Sequence, residues 1–167
     1  MTLASVITLS RIFLIPVFMA LVLTRTGEIW ALVVFIIAAL TDGLDGYVAR
    51  ARKEITKFGQ LMDPIADKLL ISSALIALVE LGTISSWVVM IILGREFAVS
   101  GLRMVVATEG IVLPASFLGK LKTVSQIVAI VALLLDVPGA SVLLWIAAAI
   151  TVVSGIDYFF KAQTRLW

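Results

Sequence analysis

Six stretches of this chain are each apolar enough to cross a bilayer, and that pattern leaves few folds open to it. They fall at roughly residues 7–24, 29–49, 60–80, 86–107, 118–135 and 140–162, against a need for about 20 largely apolar residues per crossing. The connectors are short, and several carry Gly or Pro, as in RTGE, LGTIS, TEGIVLPAS and DVPGA. No internal repeat, low-complexity tract or soluble domain interrupts them. A helix satisfies its backbone hydrogen bonds internally, which lipid demands. The expected fold is therefore all-α, an integral membrane bundle of six transmembrane helices forming one domain over residues 1–167. Composition agrees: 62% of residues are apolar, where soluble domains run at about 45–50%. The first ten residues carry no Lys or Arg, so the first run lacks a basic leader region and is expected to be retained.

The thirteen Lys and Arg residues alternate with the connectors. Arg50, Arg52, Lys53 and Lys57 lie at the 2–3 connector, with Lys68 just beyond. Arg103, Lys120 and Lys122 flank the 4–5 connector, with Arg95 further into helix 4, and Lys161 and Arg165 lie at the C-terminal end. The other three connectors hold only Arg25. Cytoplasmic loops collect positive charge. Both termini and the 2–3 and 4–5 connectors are thus expected on the cytoplasmic side of the cell membrane.

The chain has no cysteine and no histidine. That removes thiolate chemistry, disulfides and the commonest general base. Chemistry is left to carboxylates, Lys, Arg, hydroxyls and hard, oxygen-preferring metal ions. Ionisable residues inside spans mark function by default, and Asp42, Asp45, Asp63, Asp67, Arg95, Glu96 and Arg103 all fall inside them. Asp42 and Asp45 share one face of helix 2, and Asp63 and Asp67 share one face of helix 3. Asp42 lies eight residues before Arg50, and Asp67 eight residues after Gly59. At about 1.5 Å per residue, antiparallel helices with a short connector bring both pairs to similar depth. Four converging carboxylates repel one another, and divalent cations resolve that repulsion. Two such ions suit phosphoryl transfer, and nearby Arg and Lys suit phosphate. Interfacial salt bridges, or a proton or cation path, are other readings of the same acids. Gly46 and Gly59 fit either close ligand approach or helix packing by small residues.

The residues Asp42, Asp45, Gly46, Ala49, Arg50, Gly59, Asp63 and Asp67 resemble the signature of the CDP-alcohol phosphotransferase family, D-x2-D-G-x2-A-R-x8-G-x3-D-x3-D, with every spacing met. The resemblance implies a six-helix membrane bundle, usually a homodimer. It implies that Asp42, Asp45, Asp63 and Asp67 bind two magnesium or manganese ions, with Asp67 also the general base. Gly46, Ala49, Arg50 and Gly59 would line the cytidine nucleotide. Further stretches, TLSRIFLIP (8–16), DPIADKLL (63–70), GREFAVSGLR (94–103) and GKLKT (119–123), resemble the bacterial branch of that family that makes phosphatidylglycerol phosphate. It implies CDP-diacylglycerol as donor, glycerol 3-phosphate as acceptor, and no nucleic-acid partner.

Arg95, Arg103, Lys120 and Lys122 are the candidates for the acceptor's phosphate. Arg95 and Arg103, eight residues apart, lie about 80° apart around a helix and can face one cavity. Positive-inside anchoring is the plainer reading of Lys120 and Lys122, and an ion pair with Glu96 that of Arg95. Thr8 and Arg11, placed before or at the start of helix 1, are further candidates, with a helix cap and an interface anchor as the alternatives. GKLKT is no Walker A loop, since Pro114 and Leu121 stand where Gly and Ser or Thr are needed. A different phosphorylated acceptor such as inositol phosphate, or a small cation carrier built on the aspartates, remain the competing functions.

Overall fold

The computed structural model describes the backbone of residues 3–24, 27–52, 57–108 and 116–166, and the side chains of these except 3–8, 42–64, 67 and 165–166. Among the described residues the chain is all-helical, with α1 (Leu3–Leu23), α2 (Glu28–Arg52), α3 (Lys57–Glu80), α4 (Ser86–Thr108), α5 (Phe117–Leu134) and α6 (Ala140–Leu166). Among the described residues two of them, over Phe117–Leu134 and Ala140–Thr164, are long and apolar enough to cross a membrane. Every helix also exposes large apolar side chains, among them Phe13, Trp30, Ile76, Trp87, Phe117 and Phe160. Lipid solvates such an outer surface, whereas water leaves patches of that extent as interaction sites.

The helices overrun the apolar stretches where charge begins. α2 continues through Ala51 to Arg52 and α3 starts at Lys57, because Ala, Arg and Lys are good helix formers that need no lipid. α1 starts at Leu3, not at residue 7, since Leu3, Ala4, Val6 and Ile7 carry the helix upstream. Thr8 and Arg11 therefore sit inside α1, which corrects both their placement before helix 1 and the cap reading of Thr8. Arg11 is also no interface anchor, because it is 0% exposed. A buried guanidinium needs partners, and Arg11 is not without one.

The helices form two compact units, Met1–Thr83 and Ile84–Trp167. In the first, α1 packs against both α2 and α3, which also touch each other. Small residues (Ala31, Ala38, Ala66, Ala74, Ala77) are fully buried there and let backbones approach, the usual device of membrane helices. Phe18 and Phe35 fill the wider gap, their ring centroids 5.6 Å apart. In the second unit α6 packs against α5 and α4 around Ile92, Ile130 and Leu144. Gln126 of α5 donates to the Thr151 hydroxyl of α6 at 2.8 Å, so two buried polar groups satisfy each other.

The turns follow from local chemistry. α3 ends in a Schellman motif: Thr83 N–H donates to Leu78 C=O and Gly82 N–H to Val79 C=O, with Gly82 at φ 70°, where a glycine carries no Cβ penalty. α5 ends in the same way around Asp136, at φ 52°. Its start is capped by Ser116, whose Oγ accepts from Gly119 N–H at 3.0 Å.

Candidate active site

The first unit carries the aspartates on two unbroken helices. Asp42, Asp45, Gly46, Ala49 and Arg50 lie within α2, and Gly59, Asp63 and Asp67 within α3. Asp42 stands ten residues before the end of α2 and Asp67 ten residues after the start of α3, each about 15 Å along its helix. Asp45 and Asp63 lie seven and six residues from the same ends. Helix continuity keeps each pair on one face, and residues 53–56 alone separate the two helices. The side chains of these eight residues, and that of Thr8, lie outside the described residues. As a donor set, four carboxylates with no nitrogen or sulfur fit a hard divalent ion.

The second unit assembles a basic cluster from three helices. Arg95 and Glu96 come from α4 and Lys122 from α5, with side chains only 11–14% exposed. Arg95 Nη1 donates to Glu96 Oε1 at 3.2 Å, and Lys122 Nζ pairs with the same carboxylate oxygen. One carboxylate is thus shared by two cations on different helices. The ion pair of Arg95 with Glu96, the plainer reading of that arginine, is present. It engages one of the five guanidinium N–H groups. A second goes to α6, where Arg95 Nη2 donates to Ser154 Oγ at 2.9 Å. Arg95 Nε is buried and makes no hydrogen bond.

Arg103, two turns beyond Arg95, places its guanidinium 5.6 Å from the centre of the Tyr158 ring, within cation–π range. Arg95 meets Ser154 and Arg103 meets Tyr158, so α4 and α6 run in the same direction. Arg95 and Arg103 therefore both reach α6, as their angular separation allows. Lys120 is exposed and, two residues from Lys122, leaves α5 on a different side.

Sequence reasoning missed Ser154, Gly155 and Tyr158. They share with Thr151 a buried stripe that recurs every three to four residues along α6. That periodicity of hydroxyls was the available signal.

The model of the CDP-alcohol phosphatidyltransferase family matches residues 1–153, which include every carboxylate and cation above. The chain belongs to that family. A Bacillus subtilis (strain 168) protein named CDP-diacylglycerol–glycerol-3-phosphate 3-phosphatidyltransferase is 45% identical to it, over 93% of this chain and 92% of the relative. A Rickettsia typhi protein of the same name is 38% identical, over 95% of each. A Mycobacterium tuberculosis (strain H37Rv) protein named probable phosphatidylglycerophosphate synthase is 41% identical, over 96% of this chain and 81% of the relative. Enzymes of this family are generally dependent on divalent metal, in keeping with the oxygen-only donor set.

Proposed function

We propose that this chain transfers a phosphatidyl group from CDP-diacylglycerol to glycerol 3-phosphate, giving phosphatidylglycerol phosphate and CMP. The observation that carries the reading is its near full-length similarity to relatives named for that reaction. The Arg95–Glu96–Lys122 cluster supports a phosphorylated acceptor, because a guanidinium beside an ammonium suits a phosphate.

Asp42, Asp45, Asp63 and Asp67 would hold two magnesium or manganese ions. Metal held by these carboxylates would supply positive charge to the donor's diphosphate and to the oxygens whose charge changes during transfer. Gly46, Ala49, Arg50 and Gly59 line the cytidine nucleotide, and Arg50 offers its charge to the phosphates. Asp67 accepts the proton of the acceptor's hydroxyl. The freed oxygen attacks the phosphorus attached to diacylglycerol, the bond to the CMP phosphate breaks, and CMP leaves. Arg95, Arg103, Lys120 and Lys122 hold the acceptor's own phosphate. Thr8 and Arg11 of α1 would join the same site.

All six helices cross the cell membrane as one domain. Both termini and the basic connectors lie on the cytoplasmic side, where the water-soluble substrates are. The working form is a homodimer.

The test uses purified protein with CDP-diacylglycerol and magnesium. Radiolabel from glycerol 3-phosphate should pass into the lipid phase, and chelator should stop it. Label that stays in the water phase would refute the reaction. If inositol phosphate alone supports turnover, the acceptor is wrong but the chemistry stands.

A further inference from the structure

The stripe of α6 that the charge pattern does not reveal carries a role of its own. Ser154 is buried, and its hydroxyl accepts from Arg95 Nη2 at 2.9 Å. The next residue, Gly155, is also buried. A Cβ built on it would stand 2.9 Å from Arg95 Cγ and 3.2 Å from Arg95 Nε. Real Cβ atoms essentially never come within 3.0 Å of such a neighbour, so the stem of Arg95 crosses the bare backbone of α6 at this point. Glycine is otherwise unfavourable in a helix interior. Gly155 has no positive φ to justify it, and Gly94 and Gly101, also helical, have open space where a Cβ would go. The passage of Arg95 is what calls for a glycine at 155.

We propose that Ser154 and Gly155 are positioning residues for acceptor binding. Gly155 gives Arg95 its path across α6. Ser154 anchors Nη2, as Glu96 anchors Nη1. Two N–H groups are thereby committed to protein and Nε is buried against α6, so the guanidinium plane is fixed and the second N–H of Nη1 and of Nη2 is left for a phosphate. The proposal rests on the reading of Arg95 as a ligand of the acceptor's phosphate.

The test compares steady-state kinetics of Arg95→Ala, Ser154→Ala, Ser154→Thr, Gly155→Ala and the double variant Arg95→Ala/Gly155→Ala. Ser154→Ala should raise KM for glycerol 3-phosphate about fivefold, the worth of one net hydrogen bond, with KM for CDP-diacylglycerol within about twofold. Ser154→Thr, which keeps the hydroxyl, should return most of that loss. Gly155→Ala should raise the acceptor KM about tenfold or more, because a displaced guanidinium loses its alignment. In the Arg95→Ala background Gly155→Ala should add nothing, since nothing remains to collide with. A glycine needed only for helix packing would instead impair both backgrounds and both substrates equally. Should Gly155→Ala fail to fold, the two Ser154 variants decide. An unchanged acceptor KM in Ser154→Ala and Gly155→Ala, with Arg95→Ala impaired, overturns the proposal alone. An unchanged acceptor KM in Arg95→Ala overturns the phosphate reading of Arg95 and the proposal with it.

Discussion

Arg95 of α4 and Ser154 of α6 are joined by a 2.9 Å hydrogen bond, and one turn further along α6 the pairing is repeated by Arg103 over Tyr158. A basic residue inside an apolar helix is costly unless the bundle interior provides for it. Here α6 provides for two of them, with a hydroxyl for one and an aromatic face for the other. The cations are thereby held by neutral groups, and one carboxylate, Glu96, is shared between Arg95 and Lys122.

Asp67→Asn should lower turnover by about a hundredfold or more, the usual worth of a general base. Its helical circular dichroism and melting temperature should stay near those of the parent. Near-normal activity in that variant would take the base role away from Asp67. Chelation should abolish activity in the parent, and added magnesium or manganese should restore it.

Arg11→Ala should destabilise the first unit, since it removes a fully buried, partnered side chain. A loss of about 2–4 kcal/mol is expected for truncating one side of such a buried arrangement, read from unfolding in mixed detergent micelles. A loss below about 0.5 kcal/mol would mean that the arginine is neither packed nor paired as described.

Gln126 and Thr151 satisfy each other inside the second unit. A double-mutant cycle with Gln126→Leu and Thr151→Val should give a coupling of about 0.6 kcal/mol, the average for hydrogen bonds between membrane helices. Additive effects would show that the bond contributes nothing to folding.

The absence of cysteine makes topology directly measurable. In intact cells Thr83→Cys and Asp136→Cys should react with an impermeant maleimide from outside, whereas Lys53→Cys should react only after lysis. Labelling of Lys53→Cys in intact cells would reverse the orientation.

Much of this architecture was legible because a long apolar helix leaves a long signal. The ends of α4, α5 and α6 at Ser86, Phe117 and Ala140 fall within a residue of the apolar stretches, since Gly, Pro and a capping Ser punctuate them. The ends beyond the apolar stretches were not legible: Arg52, Lys57 and Leu166 remain helical where hydropathy has already fallen. Thr8 resembles a cap as a hydroxyl near a chain start, but Leu3, Ala4, Val6 and Ile7 carry α1 past it. In the site, the ionisable residues announced themselves through their unfavourable placement. Ser154, Gly155 and Tyr158 did not, because an uncharged polar stripe barely alters mean hydropathy. Only its spacing along α6, or the path of Arg95, reveals it.

The most direct measurement is CMP release by the purified protein from CDP-diacylglycerol in magnesium, followed as glycerol 3-phosphate is added. Expected is release that is absent without acceptor, rises to saturation with glycerol 3-phosphate, and falls to background with chelator. Release that ignores the acceptor, or no release at any concentration of it, would contradict a phosphatidyl transfer to glycerol 3-phosphate.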